Sequence, residues 1–245
     1  MNRVRAVWRL WRVALHLVRG MLQILLQFPR LSQDRRDQRV QAWASALLRT
    51  IGVRLDVTGT PAPCGPMLMV ANHISWLDIV ALHAARHCRF VSKSDIQRWP
   101  LLGTLATAGG TLYVERASRR DAMRVVHSMA RALKDGDVLA IFPEGTTGDG
   151  AALLPFHANL VQAAIAASAP VQPVALRFLV GNSGRRSHAA SYVGDETLVG
   201  SLWRTLCASD LRVSLVYGEP QHALGRDRRA WTQDLQAAIE GLLRR

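Results

Sequence analysis

Over the first 28 residues the polar side chains Arg5, Arg9, Arg12, His16, Arg19, Gln23 and Gln27 recur at steps of three or four. At about 100° per residue this gathers them into an arc of roughly 80°. The rest of the surface belongs to Val7, Trp8, Leu10, Trp11, Val13, Leu15, Leu17, Val18, Leu22, Ile24, Leu25 and Phe28. A helix apolar over most of its circumference, with one cationic stripe and tryptophans toward one end, suits a membrane interface. A membrane span calls for about 20 predominantly apolar residues, and Arg9, Arg12 and Arg19 interrupt the run. A signal peptide is not expected, because the arginines leave no clean apolar segment before Gly20. The competing reading is a helix docked on the protein's own core, which usually presents a wider polar face.

Residues 29–39 are polar and charged and read as a break, followed by a helical pattern over 40–51. Short β-rich runs then fall at 54–59, 67–71, 88–92, 111–115, 138–142, 171–178 and 211–217. Between them, 75–85, 118–134 and 156–167 read as helices, 181–196 as a loop-like insertion and 227–243 as a closing helix. Strands alternating with helices, several of them continuous apolar runs, predict an α/β domain with a mostly parallel central sheet flanked by helices. The expected organisation is a membrane-associated amphipathic helical segment over 1–50 and an α/β domain over 51–245, ending in a basic helix.

Charge adds an anionic partner to this picture. The formal net charge is +13, and Lys93 and Lys134 are the only lysines, so arginine supplies nearly all of it. Arginine grips phosphate and carboxylate in bidentate fashion, and anionic lipid, nucleic acid or an acidic carrier would all meet such a surface. Biased base composition in the genome would produce the same arginine excess. Cys64, Cys88 and Cys207 are scattered and odd in number, which indicates a reducing compartment rather than a disulfide framework.

Two motifs carry candidate chemistry. His73 follows the apolar run 67–71 and precedes a helix, the carboxyl end of a strand, where open α/β sheets place their ligands. An imidazole there can take a proton from a hydroxyl nucleophile. Asp78 can accept from its other nitrogen, which orients the ring and stabilises the imidazolium. Ser75 and Asp78 also fit a capping box, which would explain the carboxylate without catalysis. The second motif, Phe142-Pro143-Glu144-Gly145-Thr146-Thr147-Gly148-Asp149-Gly150, ends another strand. Its backbone and hydroxyl donors can form an anion-binding concavity, or it can be a plain turn. A nucleotide P-loop is rejected, since Ala151 and Ala152 stand where Lys and Ser/Thr are required.

Other candidates are weaker. Arg116 closes a strand as a possible phosphate or carboxylate ligand or a solvated strand end. His83, His87 and Cys88 read as a solvated helix face rather than a metal site, for want of further ligands. The absence of a Gly-x-Ser-x-Gly elbow lowers the case for a serine hydrolase.

Taken in order, these segments resemble the glycerolipid acyltransferase family of PlsC-like 1-acylglycerol-3-phosphate acyltransferases. The family's His-x4-Asp pattern is matched by His73 and Asp78, its Gly-x4-[Glu/Asp]-Arg block by Gly110 to Arg116, its Phe-Pro-Glu-Gly-Thr block by Phe142 to Thr146, and its late proline block by Val171-Gln172-Pro173-Val174. The resemblance implies His73 as general base with Asp78 as its partner. It implies substrate binding by Asn72, Ser75, Arg116, Glu144, Gly145, Thr146 and Thr147. It also implies acyl transfer from a thioester, acyl-ACP or acyl-CoA as co-substrate, to the free hydroxyl of a lyso-lipid at the cytoplasmic face of the inner membrane. No metal or other cofactor and no nucleic-acid partner is expected.

One departure bears on the acceptor. Family members that bind phosphate usually carry arginine after Phe-Pro-Glu-Gly-Thr, where this chain has Thr147, and Phe156-His157-Ala158-Asn159 replaces Phe-Lys-x-Gly. The acceptor expected first is 1-acylglycerol-3-phosphate. The variant loop resembles the branch that acylates lyso-ornithine lipid, whose headgroup is an amino acid. Readings from other classes are a non-catalytic basic membrane- or nucleic-acid-binding module and a thioester hydrolase. The first lacks any recognised nucleic-acid motif, and the second would need no lyso-lipid acceptor.

Overall fold

A computed structural model describes residues 2–114 and 119–244. Within it the run Met67–Ala71 forms a fully buried strand, β2, as expected for a segment apolar on both faces of the pleat. The other strands are β1 (Val53–Thr58), β3 (Arg89–Lys93), β4 (Leu112–Val114), β5 (Val138–Ile141), β6 (Val171–Val180) and β7 (Leu211–Tyr217). They form one sheet in the order β1-β7-β6-β2-β5-β3-β4. Every neighbouring pair is parallel except β6 and β7. Charged residues gather on the edge strand β1, where Arg54 and Asp56 pair with Asp210 and Arg212.

Helices cover both faces. One face packs on α1 (Asn2–Leu26), α2 (Gln33–Ile51), α3 (Leu77–Ala85) and α7 (Leu198–Cys207). The other packs on α5 (Arg119–Lys134), α6 (Gln162–Ala167) and α8 (Arg228–Leu243). Leu102–Ala108 forms the short α4. Since β2, β5 and β6 run parallel, their carboxyl ends share one edge of the sheet, and the motif loops emerge there.

Several expectations shift. The polar stretch after the first helix is not a break over 29–39: only a turn at Phe28–Arg30 separates α1 from α2. Arg and Gln are good helix formers, and this first part of α2 needs no buried face. The helix expected over 156–167 shrinks to Gln162–Ala167, because His157 N–H is drawn to the Pro143 carbonyl at 2.8 Å. A helix that no part of the sequence reading assigned, α7, spans 198–207, capped where the Thr197 hydroxyl accepts from Gly200 N–H at 3.1 Å. His83 is not on a solvated face: it is buried, edge-on to Phe90.

The first helix is docked on the protein along one side. Ala6, Val13 and Gly20, seven residues apart, are buried against the protein, and Gly20 lies so close to the Trp43 indole that a Cβ would collide with it. Part of the polar stripe turns inward with this seam. Arg9 donates to the carbonyls of Leu206 and Ala208 at 2.9 and 2.7 Å, and His16 bonds the Trp43 carbonyl at 3.1 Å. The opposite side is apolar and open, with Trp8 60%, Trp11 66%, Leu22 50% and Leu25 64% exposed. No helix among the described residues is long and apolar enough to cross a membrane.

Candidate active site

The chain leaving β2 is first tied down by Asn72. Its side-chain amide donates to the Leu176 carbonyl at 3.0 Å and accepts from Leu176 N–H at 2.7 Å. A side chain thereby continues the ladder between β2 and β6 one step beyond their last backbone pairing, Ala71 with Val174. His73 then leaves the sheet at its carboxyl edge.

Asp78, one residue into α3 and fully buried, organises the turn. Its Oδ2 accepts from His73 Nδ1 at 2.8 Å, from Ile74 N–H at 2.6 Å and from Ser75 N–H at 2.9 Å. An ionised carboxylate can only accept, so a neutral His73 imidazole in this bond carries its proton on Nδ1 and presents the lone pair of Nε2. The Asp78–Ser75 bond is the acidic half of a capping box, so capping and orientation of the imidazole reside in the same oxygen. The serine half differs: the Ser75 hydroxyl accepts from Leu77 N–H at 3.2 Å. Among the described residues Nε2 of His73 makes no hydrogen bond, and the side chain is 19% exposed.

Phe142 fixes the remaining face of the imidazole, stacking at 3.9 Å between centroids with planes 7° apart. Phe90 stacks behind it at 5.8 Å. One oxygen of Glu144 holds the second loop to the first, and the other holds that loop to its own continuation. Glu144 Oε1 accepts from His73 N–H at 2.9 Å, and Oε2 accepts from Leu154 N–H at 3.1 Å. Burial pushes the Glu144 carboxyl above its ordinary range, while these N–H bonds pull it back. Gly148 N–H donates to the His73 carbonyl at 2.8 Å. Gly145, with φ +72, closes the turn, and a Cβ there would also press on the His157 ring at 3.2 Å.

The expected substrate-binding residues therefore separate. Asn72, Ser75 and Glu144 are buried and bonded to backbone, and so build the loops of the site. The Thr147 hydroxyl is likewise engaged, donating to the Tyr192 carbonyl. Gly145 and Thr146 are exposed on the loop. Arg116 lies outside the described residues. Phe142 and Tyr192 were not among the expected residues. A stacking Phe142 could have been suspected from its place at the end of β5, but nothing local marks Tyr192. Its N–H donates to the Ile74 carbonyl at 3.1 Å, which folds the 181–197 loop over the site.

This arrangement is a hydrogen-bonded imidazole–carboxylate pair with one free ring nitrogen, on a shelf where two loops meet. It can remove a proton from a hydroxyl and return it to a leaving group. The comparisons agree in class. A family model described as Acyltransferase matches residues 54–177. A lyso-ornithine lipid O-acyltransferase from Pseudomonas aeruginosa is 36% identical over 204 residues, covering 83% of this chain and 78% of that protein. A 1-acyl-sn-glycerol-3-phosphate acyltransferase from Neisseria gonorrhoeae is 38% identical over 182 residues, covering 74% and 70%. The fold is shared with the crystal structure of the 1-acyl-sn-glycerophosphate acyltransferase PlsC from Thermotoga maritima, at TM-score 0.66 and 17% identity over 99% of this chain and 97% of that one.

Proposed function

The chain belongs to the Acyltransferase family, and from that premise we propose that it moves a fatty acyl group from a thioester donor to the free hydroxyl of a lyso-lipid. The observation that carries the reading is the 2.8 Å bond between His73 Nδ1 and Asp78 Oδ2, which leaves Nε2 as the base. The acceptor's hydroxyl gives its proton to Nε2 as its oxygen attacks the thioester carbonyl. Collapse of the tetrahedral intermediate expels the thiolate, which takes the proton from the imidazolium, while Asp78 stabilises that cation. The step needs no covalent enzyme intermediate.

The donor is acyl-ACP or acyl-CoA, each anionic and suited to a chain of net charge +13. The reaction runs at the cytoplasmic face of the membrane, with the open apolar side of α1 lying in the interface. One acceptor is 1-acylglycerol-3-phosphate, giving phosphatidate. Lyso-ornithine lipid is the second, and Thr147 favours it: an uncharged side chain, already bonded to Tyr192, stands where a cation would meet phosphate.

The test offers purified enzyme a labelled acyl donor with lysophosphatidate or lyso-ornithine lipid. His73→Ala should lower turnover on the acceptor used by about 10²–10⁴-fold. Near-normal transfer by that variant would sink the mechanism.

A further inference from the structure

Beside the shelf that carries His73, the carboxyl end of β6, the 149–153 loop and the end of α8 enclose a cleft of about 500 Å³. Ile74, next to His73, lines it, and so does Asp149, next to the Gly148 that bonds the His73 carbonyl. Three cations, Arg177, Arg186 and Arg244, and two carboxylates, Asp149 and Glu240, also line it. Among the described residues none of these five groups is in a salt bridge. The chain pairs charges freely elsewhere, as between Arg204 and Glu196 or Arg226 and Asp234. Here residues of opposite charge line a common space without joining.

Arg177 shows how the cleft is held. Its Nη1 donates to the Leu243 carbonyl at 2.9 Å, which anchors the guanidinium to the end of α8. Its Nε is buried without a partner, and a donor left so costs free energy unless a ligand or water meets it. Asp149 uses one oxygen on Ala151 N–H at 2.7 Å and keeps the other. We infer that this cleft binds the acceptor's headgroup, and that the headgroup is zwitterionic, an amino acid presenting a carboxylate to the arginines and an ammonium to Asp149 and Glu240. Ornithine joined to a lipid through one nitrogen keeps one carboxylate and one ammonium. A phosphate would meet the arginines but would be repelled by two carboxylates, and a fatty acyl chain would leave five charged groups unsolvated. The inference rests on the reading of the chain as a lyso-lipid acyltransferase and takes up its second acceptor.

Arg186→Gln and Glu240→Gln test it, since neither side chain is built into the sheet or the His73 turn. Steady-state KM is measured for donor and acceptor in the full-length enzyme. The acceptors are lyso-ornithine lipid, its carboxamide, its N-acetylated form, and lysophosphatidate. Arg186→Gln should raise KM for lyso-ornithine lipid about tenfold and leave the carboxamide unmoved, as loss of one charge-assisted bond predicts. Glu240→Gln should do the same, with the N-acetylated acceptor as its insensitive partner. A merely structural defect would raise KM for all acceptors alike. Unmoved KM for lyso-ornithine lipid, or a rise in KM for the donor instead, would overturn the cleft while leaving the acyltransferase reading intact. Lysophosphatidate used in preference, with a KM raised by Arg186→Gln, would make it a phosphate site and overturn the amino-acid assignment. No transfer to any acceptor by the unaltered enzyme would overturn both.

Discussion

Glu144 reaches His73 through the backbone: its Oε1 accepts the His73 N–H at 2.9 Å, while the imidazole is held by a different carboxylate, that of Asp78, at 2.8 Å. The two acids that flank the base thus divide the work. Asp78 orients the ring, and Glu144 holds the peptide that carries it and fastens the loop containing Leu154.

Replacing Glu144 by Gln keeps one acceptor and turns the other position into a donor facing an N–H. This should cost about 1–3 kcal/mol of stability and lower kcat, with little change in acceptor KM. Thermal unfolding and steady-state kinetics check both. A selective rise in acceptor KM would instead mean that Glu144 touches the headgroup.

Asp78→Asn retains an oxygen for the Ile74 and Ser75 N–H groups but loses the charge that stabilises the imidazolium. Turnover should fall at least about a hundredfold, with circular dichroism unchanged. If turnover survived, Asp78 would be a helix cap and no more.

Burial lowers His83 from its ordinary pKa of 6.5 to about 3, with His87 adding repulsion. The unfolded chain therefore binds a proton on His83 at a pH where the folded chain does not. The stability this supports is complete above about 6.5 and declines by about 1.4 kcal/mol per unit as pH falls toward 3. His83→Gln should flatten the acid limb of a denaturation profile recorded between pH 7 and 4. An identical acid limb would show that other groups govern it.

Trp8 and Trp11 are 60% and 66% exposed on the side of α1 opposite its docking seam. Changing both to Glu should leave the fold intact and release the protein from anionic vesicles in a flotation assay. The unaltered protein should stay bound in high salt, because apolar insertion is not screened as charge attraction is. Flotation of the double variant with vesicles would place the membrane contact elsewhere.

Much of the fold was legible. The strands at Met67–Ala71 and Leu211–Tyr217 fall where the β-rich runs place them, because strands covered on both faces read as nearly continuous apolar runs. The Thr111–Glu115 strand is described only as Leu112–Val114. Helix boundaries were less legible where tertiary contacts override periodicity, as at His157, or where a polar helix shows no pattern, as at the start of α2. At the site, four residues and one turn separate His73 from Asp78, so their meeting was visible in the spacing. Tyr192, on a long loop with no regular period, gave no such signal.

Spacing along the chain by itself determined the alternation of strands and helices, the local pairing of a base with a carboxylate, and a helix apolar on most sides. Each of these depends on interactions within a turn or two. Only the tertiary structure decided which side of that helix faces the protein, since Arg9 finds carbonyls at the end of α7, almost two hundred residues away. It also decided that Glu144 accepts from the His73 backbone, and that three arginines and two carboxylates line a cleft beside it. These contacts follow from strand order and register, which bring remote residues to one sheet edge where burial drives most polar groups to find a partner.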